Sequence, residues 1–231
     1  MNPVRRLEGP VTLRDRALET LRNQIIDCTL PPGMMIKDEE LAAQLGISKT
    51  PLREALMQLS AEGLVDMPAN RPKRIAPLTR RALREIHLIY QLLREKAYAL
   101  GLAQLSNENL LEMEQAMQRQ KLALDRQNWA DSARQGRSFH EVVIRAANNE
   151  ELYRLTRQYT HAIDRVSIML RPAQDRIGNH KINLAILEAA RNHQPEKALQ
   201  LMLAQAQQLT PLIESLPETA RISDDRPAIS A

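Results

Sequence analysis

Asp38-Glu39-Glu40-Leu41-Ala42-Ala43-Gln44-Leu45-Gly46-Ile47-Ser48-Lys49-Thr50-Pro51-Leu52-Arg53-Glu54-Ala55-Leu56 is the stretch that decides the fold. Three acidic residues open it, and a helix dipole favours them in a first turn. Leu41, Ala42 and Leu45 keep the spacing of a buried helical stripe. Gly46 then supplies the left-handed residue at which a helix stops, and Ile47 turns into the interior. Ser48 or Thr50 caps a second helix. Pro51 is tolerated there because a first-turn N–H has no partner to lose. Leu52, Leu56 and Leu59 face the first helix, Ala42 is small enough to let the two cross closely, and Gly63 ends the second.

The polar residues left at the leading end of this second helix are Ser48, Lys49, Thr50 and Arg53. A helix-turn-helix enters the major groove with the N-terminal side chains of its second helix. Arg53 suits a bidentate contact to guanine, while Ser48, Lys49 and Thr50 suit phosphate. A short hairpin follows, Leu64–Met67 and Lys73–Pro77 around Pro68-Ala69-Asn70-Arg71-Pro72. Its Asn70, Arg71, Lys73 and Arg74 form a second basic element, and a helix-turn-helix with such a hairpin is a winged helix. Upstream, Ala17, Leu18, Leu21, Ile25 and Cys28 fall at helical spacing behind a Thr12 cap, and Leu30-Pro31-Pro32-Gly33 stops that helix.

After Leu78 the character changes. The sequence from Thr79 to about Leu216 reads as long amphipathic helices, with Ile86, Ile89, Tyr90, Leu93 and Ala97 as the first buried stripe. Breaks are expected at Ser106-Asn107, Gln127-Asn128, Asn148-Asn149, Arg171-Pro172, Gly178-Asn179, Asn192–Pro195 and Leu216-Pro217. The uncharged run Ala198–Ile213 reads as a further bundle helix. The expected fold is mainly α: a winged helix-turn-helix over 10–78, an all-α antiparallel bundle over 79–217, and a disordered tail over 218–231.

Composition narrows the function. The 231 residues hold 7 Gly and 3% aromatics, too few for an all-β fold, and no glycine-rich phosphate loop occurs. Cys28 is the single cysteine, so no internal disulfide or Cys-x-x-Cys site is available. No run approaches the roughly 20 apolar residues of a membrane span, and Arg5, Arg6 and Glu8 are not followed by the apolar stretch of an export signal. A cytoplasmic protein is expected. Net charge is +4, with basic residues concentrated at Lys49–Arg53 and Arg71–Arg74.

Residues 13–78 resemble the GntR family of bacterial transcription regulators, whose pattern runs L-x-P-G, then L-A-x-x-L-G-[VI]-S-[RK]-T-P-[VL]-R-E-A-L-x-x-L-x-x-E-G-L-V. Here it stands as Leu30-Pro31-Pro32-Gly33, Leu41–Leu56, Leu59 and Glu62-Gly63-Leu64-Val65. Two positions depart from it. Pro72 follows Arg71 where the family's wing has glycine, and Lys49 stands where arginine is common; lysine loses bidentate geometry.

Residues 80–215 are similar to the FCD effector domain of the FadR branch, through Arg94-Glu95-Lys96-Ala97, Phe139-His140, Arg171-Pro172 and Ile186-Leu187-Glu188-Ala189. Many such domains hold a divalent metal with one Asp and three His, and the metal often holds a carboxylate effector. Carried onto this chain, those positions are Gly136, His140, Asn183 and Gln205. One imidazole cannot hold zinc, which needs three or four protein ligands, so neither metal nor cofactor is expected. A relocated site using His180, one turn before Asn183, stays open. The arginine common four residues before Glu95 is Gln91.

Arg137, His140, Asn183, Gln205 and Gln91 are therefore the candidate effector pocket, with amides and imidazole suited to a polar organic ligand. The resemblance implies a homodimeric repressor that binds double-stranded DNA at a near-palindromic operator and answers to a small-molecule effector. Three alternatives stand beside it: the bundle serves dimerisation without a ligand, the bundle is an enzyme using His140 with Glu141 or Asp164, or the chain is an adaptor that has lost DNA binding.

Overall fold

A computed structural model describes residues 12–218, so the expected tail beyond Glu218 lies outside the described residues. The chain divides into two compact units between Pro77 and Leu78.

In the first unit, Thr12 caps α1 (Leu13–Ile26): its hydroxyl accepts from the Asp15 N–H at 3.1 Å while the Asp15 carboxylate accepts from the Thr12 N–H at 3.2 Å. Helix α2 (Asp38–Leu45) ends on Gly46 at φ 65°, and α3 (Lys49–Ala61) ends before Gly63 at φ 73°. A residue with a Cβ is strained at either glycine. Ser48 occupies the cap position of α3 without a side-chain capping bond.

Leu52, Leu56 and Leu59 of α3 are essentially inaccessible and join Leu21, Ile25, Leu41, Ala42 and Ile75 in one core. Burial of this face fixes which side of α3 remains outside. The wing is β1 (Val65–Asp66) antiparallel to β2 (Arg74–Ile75), with Val65 opposite Ile75. The far edge of β2 is closed by the segment after Gly33: the Ile75 N–H donates to the Met34 carbonyl at 2.8 Å, and the Ile36 N–H to the Lys73 carbonyl at 2.9 Å.

The second unit is helical: α4 (Arg80–Leu102), α5 (Asn107–Asp125), α6 (Trp129–Ala146), α7 (Glu150–Leu170), α8 (Ala173–Arg191), α9 (Pro195–Gln207) and α10 (Thr210–Glu214). Thr79, Ser106, Asn128 and Asn149 cap α4 to α7 through side-chain oxygens. Gln127, Asn148 and His193 take positive φ where α5, α6 and α8 end, which places the turns at three of the expected breaks. Among the described residues no helix is long and apolar enough to cross a membrane.

Three expectations fail here. Gly178-Asn179 does not interrupt α8, because Arg176, His180, Asn183, Ile186 and Leu187 are buried along it and packing outweighs the modest helix cost of one glycine. The run Ala198–Ile213 is not one helix: α9 stops at Gln207, and Pro211, which has no N–H to continue the ladder, lies in the first turn of α10. The buried stripe of α4 is also rotated from the expected one. Ile89 is 41% exposed, and the inner face is Leu83, His87, Tyr90, Arg94, Ala97, Tyr98 and Gly101.

Gly101 brings α4 against α6 so closely that a Cβ there would lie 1.9 Å from the Val143 carbonyl oxygen. We expect Gly101→Ala to cost at least the 1–3 kcal/mol typical of overpacking. In a unit of this size that lowers the melting temperature by roughly 2–4 °C per kcal/mol, whereas Gly178→Ala, which meets nothing within 4 Å, leaves it unchanged or raises it. Thermal unfolding followed by circular dichroism separates the two.

Candidate functional site

The leading end of α3 is exposed but not bare. Asp38, in the first turn of α2, receives both Lys73 from the wing (Nζ to each carboxylate oxygen, 2.7 Å) and Arg53 from α3 (Nε, 3.0 Å). Its side chain is only 11% accessible, and these two cations hold its carboxyl below the usual range against the opposing pull of burial. Because Arg53 is gripped through Nε, its terminal nitrogens stay available, and the side chain remains 61% exposed. Lys49 pairs with Glu39 at the rim, and Arg74 pairs with Asp66 across the hairpin at 3.0 Å. Asn70 and Arg71 at the wing tip and Ser48 and Thr50 on α3 are exposed.

Of the expected set, Arg53 and Lys73 are thus brought together on Asp38, and Ser48, Lys49, Thr50, Asn70 and Arg71 are exposed. Lys73 is 25% accessible and already engaged, so it is a strut between wing and helix more than an open contact. Asp38 carries no signal of this role in the sequence, where the helix dipole alone accounts for an acid in the first turn of α2.

In the helical unit, the four positions carried over from the metal-binding pattern fall in one polar layer. Gln205 on α9 donates to the Asn183 side-chain oxygen on α8 at 2.8 Å, and both are buried. Gln205 also bonds His140, whose Nδ1 partners the Tyr98 hydroxyl of α4. Beside them the His180 Nδ1–H donates to Gln120 Oε1 at 2.9 Å, and Gln120 Nε2 donates to the Ser132 carbonyl at 3.1 Å. Gly136 explains why Gln120 fits. A Cβ at 136 would approach Gln120 Nε2 to 2.7 Å, so the space an acidic side chain would need is occupied by an amide.

Burial pushes His140 well below its ordinary value, with the nearby Arg94 charge adding to the effect; burial lowers His87 and His180 as well. The layer is therefore built of neutral rings and amides. Among the described residues no three His, Cys, Asp or Glu side chains gather as metal ligands do, and His180 is committed to Gln120.

Arg137 does not open into this layer as a free cation. It is ion-paired with Asp164 of α7, a carboxylate whose pKa burial raises. Glu141 accepts from the Tyr153 hydroxyl. Neither acid joins His140, so the dyad an enzyme reading would need is not formed. Gln91 is half-buried. The charged residue that the α4 face does carry inward is Arg94, 5% exposed, over the rings of Tyr90 at 5.7 Å and Tyr98 at 5.5 Å. Its signal in the sequence was the four-residue spacing Tyr90-Arg94-Tyr98 on an inward face.

Comparison with known proteins agrees with both units. Residues 13–73 match the model of the gntR family of bacterial regulatory proteins, and residues 85–208 match that of the FCD domain. The HTH-type transcriptional repressor RspR of Escherichia coli K12 is 22% identical over 149 residues, 64% of this chain and 65% of that protein. The chain thus spans just under two thirds of the length of that relative. A probable D-xylose utilization operon transcriptional repressor of Paenarthrobacter nicotinovorans is 29% identical over 143 residues, 62% of this chain and 63% of the relative. Among solved structures, E. coli McbR/YncC superposes with a TM-score of 0.80 at 21% identity, covering 89% of this chain and 98% of that one, which shows a shared fold. With a gntR-type winged helix followed by a matching FCD domain over more than half its length, the chain belongs to the gntR family of bacterial regulatory proteins, in its FCD-bearing branch.

Proposed function

We propose that this protein is a transcription regulator that binds double-stranded DNA as a homodimer at a near-palindromic operator and is controlled by a small molecule in its helical unit. The observation that carries the reading is the exposed Arg53 at the leading end of α3, held through Nε by Asp38, which also holds Lys73 of the wing. Dimer symmetry sets two such edges against two half-sites. Repression is the favoured mode, in keeping with relatives whose names are those of repressors. Ser48, Thr50 and Lys49 are assigned to phosphate, Arg53 to a base edge, and Asn70, Arg71 and Arg74 to the wing's contacts with the neighbouring groove or backbone. The work is that of a cytoplasmic protein, since its partner is the genome. The enclosed layer of His140, Asn183 and Gln205 is the effector-facing surface, and a bundle used for dimerisation alone has no need of it.

Duplexes selected by the wild-type protein from a randomised pool should share a two-fold pattern. Arg53→Ala is expected to erase one symmetric position from that pattern and to weaken selected duplexes about 5- to 150-fold, the worth of a bidentate base contact. Lys49→Ala should weaken all duplexes alike and reduce the salt slope by about one ion. Asp38→Asn should lose the same base position as Arg53→Ala while keeping binding to random DNA, because it frees the guanidinium without removing a cation. An unpatterned pool, or Arg53→Ala binding as wild type, would overturn the reading.

The neutral imidazoles give a second test. A histidine whose folded pKa lies below its unfolded value binds more protons when unfolded. Stability is then full above about pH 6.5 and falls as pH drops through that value. We expect the melting temperature to decline from pH 7 to pH 5.5, with a limiting slope of about 1.4 kcal/mol per pH unit for each such histidine. His140→Gln should flatten that slope; an equal slope in the variant would remove His140 from the neutral layer.

A further inference from the structure

A recess of about 490 Å³ lies between α5 and α8, within the size range of small-molecule sites. Leu122 and Leu184, 54% and 43% exposed, line it together with the buried Met117 and Leu187. A single exposed leucine is ordinary surface, but two that line one cleft over buried apolar side chains form a patch that binding can cover.

His180 gives the recess its polar group. The side chain lines it and is 7% exposed, and its hydrogen bonds fix which nitrogen carries the proton. Gln120 Nε2 donates to the Ser132 carbonyl at 3.1 Å, so the end of that amide that meets His180 Nδ1, at 2.9 Å, is the oxygen, which accepts. The proton therefore sits on Nδ1. Burial, helped by the Lys121 charge, lowers the pKa of the ring and keeps it neutral. Nε2 is left as a lone-pair acceptor on the side of the ring away from Gln120, with no hydrogen bond among the described residues. An acceptor so nearly covered calls for a donor.

The charges around the recess balance. Lys121 pairs with Asp125 and Arg191 with Glu114, and the lining as a whole holds two bases, Lys121 and Arg191, and two acids, Glu114 and Glu188. Nothing there selects an ion. An aromatic ring suits the lining better than an aliphatic chain does, because the Met117 sulfur and the two cations each interact favourably with a ring.

We propose that this recess binds an uncharged aromatic molecule with one hydroxyl, of the phenol class, its O–H donating to His180 Nε2 and its ring packed on Leu122 and Leu184. His140, Asn183 and Gln205 do not line the recess, yet Gln120 links it to their layer. A donor on Nε2 polarises the chain that runs from Nδ1–H through Gln120 to the Ser132 carbonyl, and Gln120 is the side chain that fills the space beside Gly136. The inference goes beyond the regulator reading and uses nothing of the winged helix.

The test uses the full chain. Thermal unfolding and isothermal titration are followed with p-cresol, and with toluene and 4-methylanisole, which keep the ring and lack the O–H. At ten times its Kd p-cresol should raise the melting temperature about 3–6 °C. The two analogues should bind roughly 2- to 13-fold more weakly, the contribution of one hydrogen bond. His180→Phe keeps an aromatic side chain without the acceptor and should bring p-cresol down to the affinity of toluene. Leu184→Gln, at an exposed lining position, should weaken all three compounds. Circular dichroism and binding to selected duplexes establish that the variants are folded; if His180→Phe does not fold, the analogue comparison in the wild type together with Leu184→Gln decides. The proposal is overturned if the three compounds bind the wild type alike, if Leu184→Gln leaves p-cresol binding unchanged, or if a folded His180→Phe still prefers p-cresol. It is equally overturned if sedimentation velocity shows Leu184→Gln converting a dimer to monomers, the mark of a face shared by two copies of this chain. DNA binding without any p-cresol shift would sink this inference and leave the regulator reading standing; a p-cresol shift with no DNA binding would do the reverse.

Discussion

A charge taken out of water must be met by something that replaces water, and that constraint shapes both parts of this chain. At the surface of the winged helix, one nearly covered carboxylate, Asp38, meets two cations from different elements. Inside the bundle, Arg137 and Asp164 meet each other. Arg94 is met by the Tyr90 and Tyr98 rings, with the Asp164 charge within electrostatic range. The first two arrangements are complete and hold geometry in place. The third leaves one edge of the guanidinium, Nε and Nη2, without a hydrogen bond.

The Asp38 cluster shows how a modest interaction acquires consequence through position. Exposed ion pairs contribute about 1 kcal/mol or less, so Asp38 need not matter much to the stability of the winged helix. Its role is angular. Gripping Arg53 through Nε restricts the rotamers of a long side chain before any partner arrives. The same carboxylate ties Lys73, and so the wing, to α2 and, through Arg53, to α3. Lys49 and Glu39 form a more exposed pair.

The fold was legible where local rules and packing agree. Gly46 and Gly63 at helix ends, the Thr12 cap, the break at Asn148-Asn149 and the hairpin around Pro68–Pro72 each carry a strong local signal, and each appears where it was expected. It was not legible where tertiary packing overrides a weak local signal, as at Gly178-Asn179. Nor was it legible where a helix face depends on neighbours the sequence does not name: Ile89 lies outward and Arg94 inward on α4. The polar layer could be assembled only through a family pattern, because His140, Asn183 and Gln205 come from three helices. Gln120 and His180, which complete it, had no marker in that pattern. Side chains that matter through a partner far along the chain, such as Asp38 with Lys73 or Gln120 with Gly136, cannot be recognised from their own surroundings in sequence.

The exchange at Gly136 also bears on how such a regulator responds. A metal site is held by several strong bonds and is nearly preformed, so its ligand adds little order. A layer of amides and imidazole beside a buried guanidinium is different: it is held by single hydrogen bonds between neutral side chains. Linkage requires that any change in DNA affinity equal the ligand's differential affinity for the two DNA-binding states. Such a difference is on the order of the 1–3 kcal/mol at which allosteric couplings operate.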